Sequence, residues 1–270
     1  MIKIIHKKRN KIMFINMKLK NIPFPKEYGS WGILLTSCVI GISVSHIQLT
    51  ISLLYALGIS LLFMVKAPLG SFMRQRNKST FIFTTIYTVL GLVLLMPGLF
   101  QISLKNILTL SLIPFLTIIL YALSAYIHKE RTFIVELFAM ATLTLPILFF
   151  EIISKNKINK EMVIIWFFTF IYFSASIFKV KMLIFDKQIY KISNLVYIIT
   201  ILIFITILVY FHIFTWLAFI LFSPLLDNIL STFFHYENKK KLKLVGIIEL
   251  IKGVVFAIIL IYITRTPIKI

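Results

Sequence analysis

The sequence predicts an all-α, polytopic transmembrane helical bundle of about nine spans, with the N-terminus inside and the C-terminus outside. Three observations carry that expectation. Of 270 residues, 60% are hydrophobic and the mean hydropathy is +0.98, well above the roughly 45–50% apolar usage of soluble domains. The apolar residues gather into stretches of about 20, the length a helix needs to cross the hydrocarbon core with its backbone groups bonded internally. The basic residues fill alternate gaps between those stretches. With the N-terminus inside, 22 Lys and Arg fall on the inner side and 6 on the outer, and Lys252 lies within the last stretch; that asymmetry orients membrane proteins.

The chain divides into a basic cytoplasmic arm with a membrane lead-in segment, residues 1–30, and a single transmembrane domain, residues 31–270. Residues 1–24 mix basic and apolar side chains without the continuous apolar core or small-residue cleavage site of a signal peptide, so the arm is expected to stay attached. Its charge suffices to orient the first span, and a further reading holds it on anionic headgroups. Pro25-Lys26-Glu27-Tyr28-Gly29-Ser30-Trp31-Gly32 follows. Two charges, a phenol, an indole and two glycines are more than a helix start requires, so any site is expected here.

The spans are expected at about 31–47, 51–69, 81–98, 107–127, 133–151, 162–180, 193–210, 213–230 and 246–264. The first contains Cys38, the only cysteine, so neither a disulfide nor a thiolate metal site forms within a monomer. The second ends in Lys66-Ala67-Pro68-Leu69 and is followed by Arg74, Arg76 and Lys78. Pro97, Pro114, Pro146 and Pro224 lie within or at the ends of spans, where a missing amide donor kinks or breaks a helix. The fifth follows Lys129-Glu130-Arg131 and carries Glu136 one turn in; the sixth ends at Lys179 and Lys181. Only a polar cluster around His212 separates the seventh from the eighth, and eight spans is the alternative count. The last begins with Gly246, Glu249 and Lys252.

An ionisable group at the membrane centre costs about 2.5–3.5 kcal/mol on insertion scales, so charges near or within spans are site candidates. Arg131 and Glu136, about a turn apart, form a local pair or bind a ligand together, and Glu249 and Lys252 share a helix face at i,i+3. Lys179 and Lys181 are long enough to snorkel to headgroups. Tyr28, Trp31, Trp166, Tyr190 and Tyr236 lie where interfacial anchors belong. His46, His128, His212 and His235 have no metal-site spacing, and no HExxH, glycine-rich phosphate loop or GxSxG elbow occurs. No metal, cofactor or catalytic residue is therefore assigned. The formal charge of +20 sits between apolar stretches, which points to anionic lipid headgroups as partners and away from nucleic acid.

The lead-in Pro-Lys-Glu-Tyr-Gly-Ser-Trp resembles the opening of the YwiC-like family of bacterial membrane proteins, whose first span is introduced by Pro-x-x-His-Gly-Ala-Trp. His128-Lys129-Glu130-Arg131 leading to Glu136, Phe178-Lys179-Val180-Lys181 and Gly246-Ile247-Ile248-Glu249 look similar to further family pieces. The resemblance implies an integral protein of the bacterial cytoplasmic membrane without an assigned reaction. Tyr28 replaces the family's usual His; tyrosine donates a hydrogen bond but does not titrate near neutral pH, which favours positioning over proton transfer. The nine-span layout also looks like the UbiA prenyltransferases, whose Asp-rich motifs hold magnesium and a prenyl diphosphate. Here the corresponding loops read Pro68-Leu69-Gly70-Ser71-Phe72-Met73-Arg74-Gln75-Arg76 and Lys181-Met182-Leu183-Ile184-Phe185-Asp186, without paired Asp. That resemblance implies a fold and not the reaction.

The expected function is binding or transport of an anionic or phosphorylated amphiphile in a basic pocket on the cytoplasmic side. Lys26, Arg74, Arg131 and Lys179 would supply charge, Glu27, Glu136 and Glu249 orienting acceptors, and Tyr28, Gly29, Trp31 and Lys181 the remaining lining. The alternatives are a UbiA-like transferase acting on isoprenoid lipids and a purely structural membrane protein.

Overall fold

The computed structural model of the chain describes residues 25, 27–45, 47–75, 78–100, 102–127, 132–185, 188–210, 219 and 242–265. These residues form ten helices: α1 (Tyr28–Ser45), α2 (Leu49–Met64), α3 (Lys66–Gln75), α4 (Lys78–Leu99), α5 (Leu104–Tyr126), α6 (Phe133–Thr144), α7 (Pro146–Lys155), α8 (Lys160–Phe185), α9 (Gln188–Tyr210) and α10 (Leu242–Arg265). No strand occurs among the described residues. An all-helical chain satisfies every mid-span backbone group locally, which hydrocarbon demands.

Among the described residues seven helical segments are long and apolar enough to cross a membrane, counting α2 with α3 and α6 with α7 as one each, and α1 is a shorter apolar helix. The stretch expected at 213–230 lies outside the described residues. Two spans are broken. At Leu145 the turn tightens, with its N–H bonded to Thr142 O, and Pro146 starts α7 in the first turn, where N–H groups have no intrahelical acceptor. Val65 makes the equivalent turn between α2 and α3. Pro97 and Pro114, by contrast, stay inside α4 and α5.

Helix directions follow from which residues meet. Gly32 and Gly253 mark the seam between α1 and α10: a Cβ on Gly32 would lie 3.3 Å from Leu250, and one on Gly253 3.2 Å from Thr36. The two helices therefore run parallel. Gly41 approaches Pro146, Ile147 and Phe150, and Ser154 donates to Ser45 O at 2.7 Å, so α7 also runs with α1. Helix α8 runs against all three. Lys179 meets Glu249 while Tyr172 donates to Lys252 O, and Tyr172 stacks on Phe256 with ring centroids 3.9 Å apart. Phe178 stacks on Tyr197 and Phe168 meets Phe204, so α9 is antiparallel to α8 as well. Consequently α9 and α10 share one direction, and Tyr210 and Leu242 stand at opposite ends of the bundle.

The core is centred on α8, where Phe168, Tyr172, Phe173 and Ala175 pack among Ile147, Phe256 and Leu260. Helices α2 and α4 form an outer pair in which Gly58 and Gly91 each approach the other's carbonyl oxygen, 3.1 Å from a hypothetical Cβ. Small residues at such a contact let van der Waals packing hold helices together where water provides no drive. Thr117 ties α5 to α6, 2.7 Å from Thr142 Oγ1 and donating to Phe138 O. Large apolar side chains such as Leu108, Leu112 and Phe115 on α5 and Ile192, Val196 and Ile203 on α9 face outward. Rows of that kind are a liability in water and normal toward lipid. This is a multi-pass integral membrane protein.

Candidate functional site

At one end of the bundle α1, α6 and α10 begin while α2, α3 and α8 finish, and the charged residues of this near face meet there as three ion-paired groups. The first surrounds the lead-in. Glu27 precedes α1, accepts from Ser30 Oγ at 3.1 Å and pairs with Lys66 at the start of α3. The Lys66 ammonium also lies 5.7 Å from the centroid of the Tyr121 ring on α5, within cation–π range. Trp31 donates from Nε1 to Pro25 O at 3.3 Å and meets Phe63 edge-on at 4.9 Å. The indole thereby closes the chain preceding the helix onto the helix itself.

The second and third groups share α8. Lys181 Nζ lies 2.9 Å from Glu136 Oε2 on α6, and Lys179 Nζ lies 3.0 Å from Glu249 Oε1 on α10. Lys252, one turn beyond Glu249, reaches the same Oε1 at 3.0 Å. Two ammoniums thus converge on one carboxylate oxygen. The side chains of Lys179, Lys252 and Glu249 are 5%, 11% and 17% exposed, so water screens little of the field of these charges. Gly32 packs on Leu250, directly after Glu249, which places the lead-in helix beside the two-lysine cluster.

Of the residues expected to line a site, Glu27, Trp31, Glu136, Lys179, Lys181 and Glu249 all stand at this face. Gly29 has open space where a Cβ would project, and Arg74 is exposed near the end of α3. Lys26 and Arg131 lie outside the described residues; Tyr28 begins α1, and its side chain is also outside them. The expected local pairing of Glu249 with Lys252 is present. Lys179 and Lys181 do not reach outward as snorkelling side chains: both are buried against carboxylates. Their separation of two residues turns them toward different neighbours, because successive helical positions rotate by about 100°. Glu136 takes Lys181 as a partner from a residue 45 positions away, a contact invisible to local spacing. Lys66 was legible only as one charge in a basic loop, and nothing nearby in sequence announced Glu27 as its partner.

Among the described residues no group of three or more His, Cys, Asp or Glu is placed to hold a metal ion. What the face offers chemically is cationic nitrogen held in place by carboxylates, with aromatic rings beside it. Cationic nitrogens in so little water exert an electrostatic pull on anions.

Comparison with curated proteins and with solved structures gave no match. The similar pieces at Phe178–Lys181 and Gly246–Glu249 lie beyond the portion that a family model covers. From the lead-in through most of the fifth span, residues 24–150, the chain matches the model described as YwiC-like protein, the family that its opening residues resemble.

Proposed function

We propose that this protein holds the headgroup of an anionic or phosphorylated amphiphile at the near face, and that this face is the cytoplasmic one of a bacterial membrane, a reading that the distribution of Lys and Arg supports. The observation that carries this reading is the convergence of Lys179 and Lys252 on Glu249 Oε1, both at 3.0 Å. Two largely buried ammoniums gathered at one carboxylate oxygen attract a further anion strongly, because little water screens them. The flanking surface suits an amphiphile. Trp31 and Phe63 give an aromatic edge at this face, and large apolar side chains face outward on the spans.

The test is retention of a defined anionic lipid. Protein purified in a neutral detergent with added phosphatidylglycerol is compared by native mass spectrometry with Lys179→Gln and Lys252→Gln. Both variants should retain several-fold less lipid, while a zwitterionic phosphatidylcholine control stays unchanged. Glu249→Gln, which removes the internal competitor for the ammoniums, should retain more. Equal retention by all four proteins would refute the proposal.

A further inference from the structure

The opposite end of the bundle contains a carboxylate that near-face binding does not use. Glu151, near the end of α7, is fully buried at 0% exposure. Its Oε1 accepts from Asn159 Nδ2 at 2.9 Å and pairs with Lys155 Nζ at 3.0 Å. Its Oε2 is equally enclosed and has no hydrogen-bond partner among the described residues. Buried carboxylate oxygens are rarely left so, because desolvation removes water's hydrogen bonds without replacing them.

The surroundings favour positive charge at that oxygen. Helices α1 and α7 run parallel and both finish here, at Ser45 and Lys155, so two helix C-termini present the negative ends of their dipoles to one region. Ser154 Oγ fastens these ends together by donating to Ser45 O at 2.7 Å. Ser45 Oγ is likewise fully buried and has no partner among the described residues. Hard oxygen donors from a carboxylate, a hydroxyl and helix-terminal carbonyls are the ligand set of alkali cations in membrane proteins. The existing counter-ion is loosely held: the Lys155 side chain is 42% exposed and can turn outward to solvent, unlike the buried Lys179.

We propose that Glu151 is the anchoring ligand of a site for an alkali metal cation, and that Lys155 is the resident counter-ion which the metal displaces. Ser45 supplies a second oxygen, and Asn159 holds the carboxylate in place. This inference stands independently of the near-face proposal, since no residue is common to the two.

The experiment measures thermal unfolding of the detergent-solubilised full chain at fixed pH and ionic strength, replacing choline chloride stepwise with lithium, sodium or potassium chloride. For the natural sequence the midpoint should climb with the logarithm of one alkali cation's concentration, as ligand binding to the folded state requires. Glu151→Gln should flatten that response. Lys155→Met should shift the half-effect to several-fold lower concentration, because the competitor is gone, and Ser45→Ala should shift it higher. Should Glu151→Gln fail to fold, Lys155→Met decides: a change in midpoint that is the same in every salt overturns the proposal. Absence of any alkali response in the natural sequence overturns it too, as does an equal response in Glu151→Gln.

Discussion

Replacing Glu249 with Gln keeps the shape of the side chain and removes a negative charge that Lys179 and Lys252 both approach. Both ammonium nitrogens lie 3.0 Å from the same oxygen, so they are no more than about 6 Å apart, and at an effective dielectric of about 20 their repulsion is about 3 kcal/mol. That agrees with the roughly 3–5 kcal/mol lost when one partner of a buried pair is removed. At about 2–4 °C per kcal/mol for a chain of this size, unfolding should come about 6–12 °C earlier. The sequence supplies its own reporter: Cys38 is the only cysteine and is 3% exposed, so a maleimide that fluoresces on reacting with thiols marks unfolding without further engineering. Glu249→Gln combined with Lys252→Met removes the repulsion and should recover most of the loss, a coupling readable in a double-mutant cycle. A loss below about 0.5 kcal/mol for Glu249→Gln, the level of ordinary surface substitutions, would refute the reasoning. So would a double variant no more stable than the single one.

Three further outcomes are expected. Gly41→Val would place side-chain carbon within 2.7 Å of Phe150 and about 3.2 Å of the Ile147 backbone; overpacking of this kind costs about 1–3 kcal/mol, and the same thiol assay should show it, whereas Gly29→Val, with open space around it, should not lower the midpoint by more than 1–2 °C. Trp31→Phe removes the hydrogen bond to Pro25 O while keeping most of the ring contact with Phe63; limited proteolysis of the N-terminal arm should then cut several-fold faster, with the rest of the bundle unaffected. Reporter fusions that signal only in the cytoplasm should be active after Arg76 and after Lys129, and inactive after Lys105 and after Lys157, as the 22-to-6 division of Lys and Arg requires.

The helices were legible because membrane spans announce themselves by composition: a run such as 107–127 has no other stable fate, and α5 occupies it, starting three residues earlier and ending one earlier. The break in the fifth span was partly legible from Pro146, but the companion break at Val65 has no proline of its own; Pro68 lies three residues further on, inside α3. The site divides the same way. Glu249 and Lys252 are three apart on one helix, and their pairing follows from geometry that any helix obeys. The pairs Glu27 with Lys66, Glu136 with Lys181 and Lys179 with Glu249 depend on which helices become neighbours. Uniformly apolar faces encode that choice weakly, through small residues such as Gly32, Gly41 and Gly253 whose role shows only once their partners are present. Glu151 escaped notice because it terminates an apolar run like any boundary charge, and only packing reveals that it is enclosed.

Helix α8 is 26 residues long, a rod of about 39 Å. Near one end Lys179 tethers it to α10 and Lys181 tethers it to α6 on another side; its other end begins immediately after Asn159, which grips Glu151. Any movement of this helix is therefore felt at both ends: a lean of about 3° about its middle would displace each end by about 1 Å, and the 2.9 Å contact between Asn159 and Glu151 can lengthen by little more than half of that before it leaves hydrogen-bonding range.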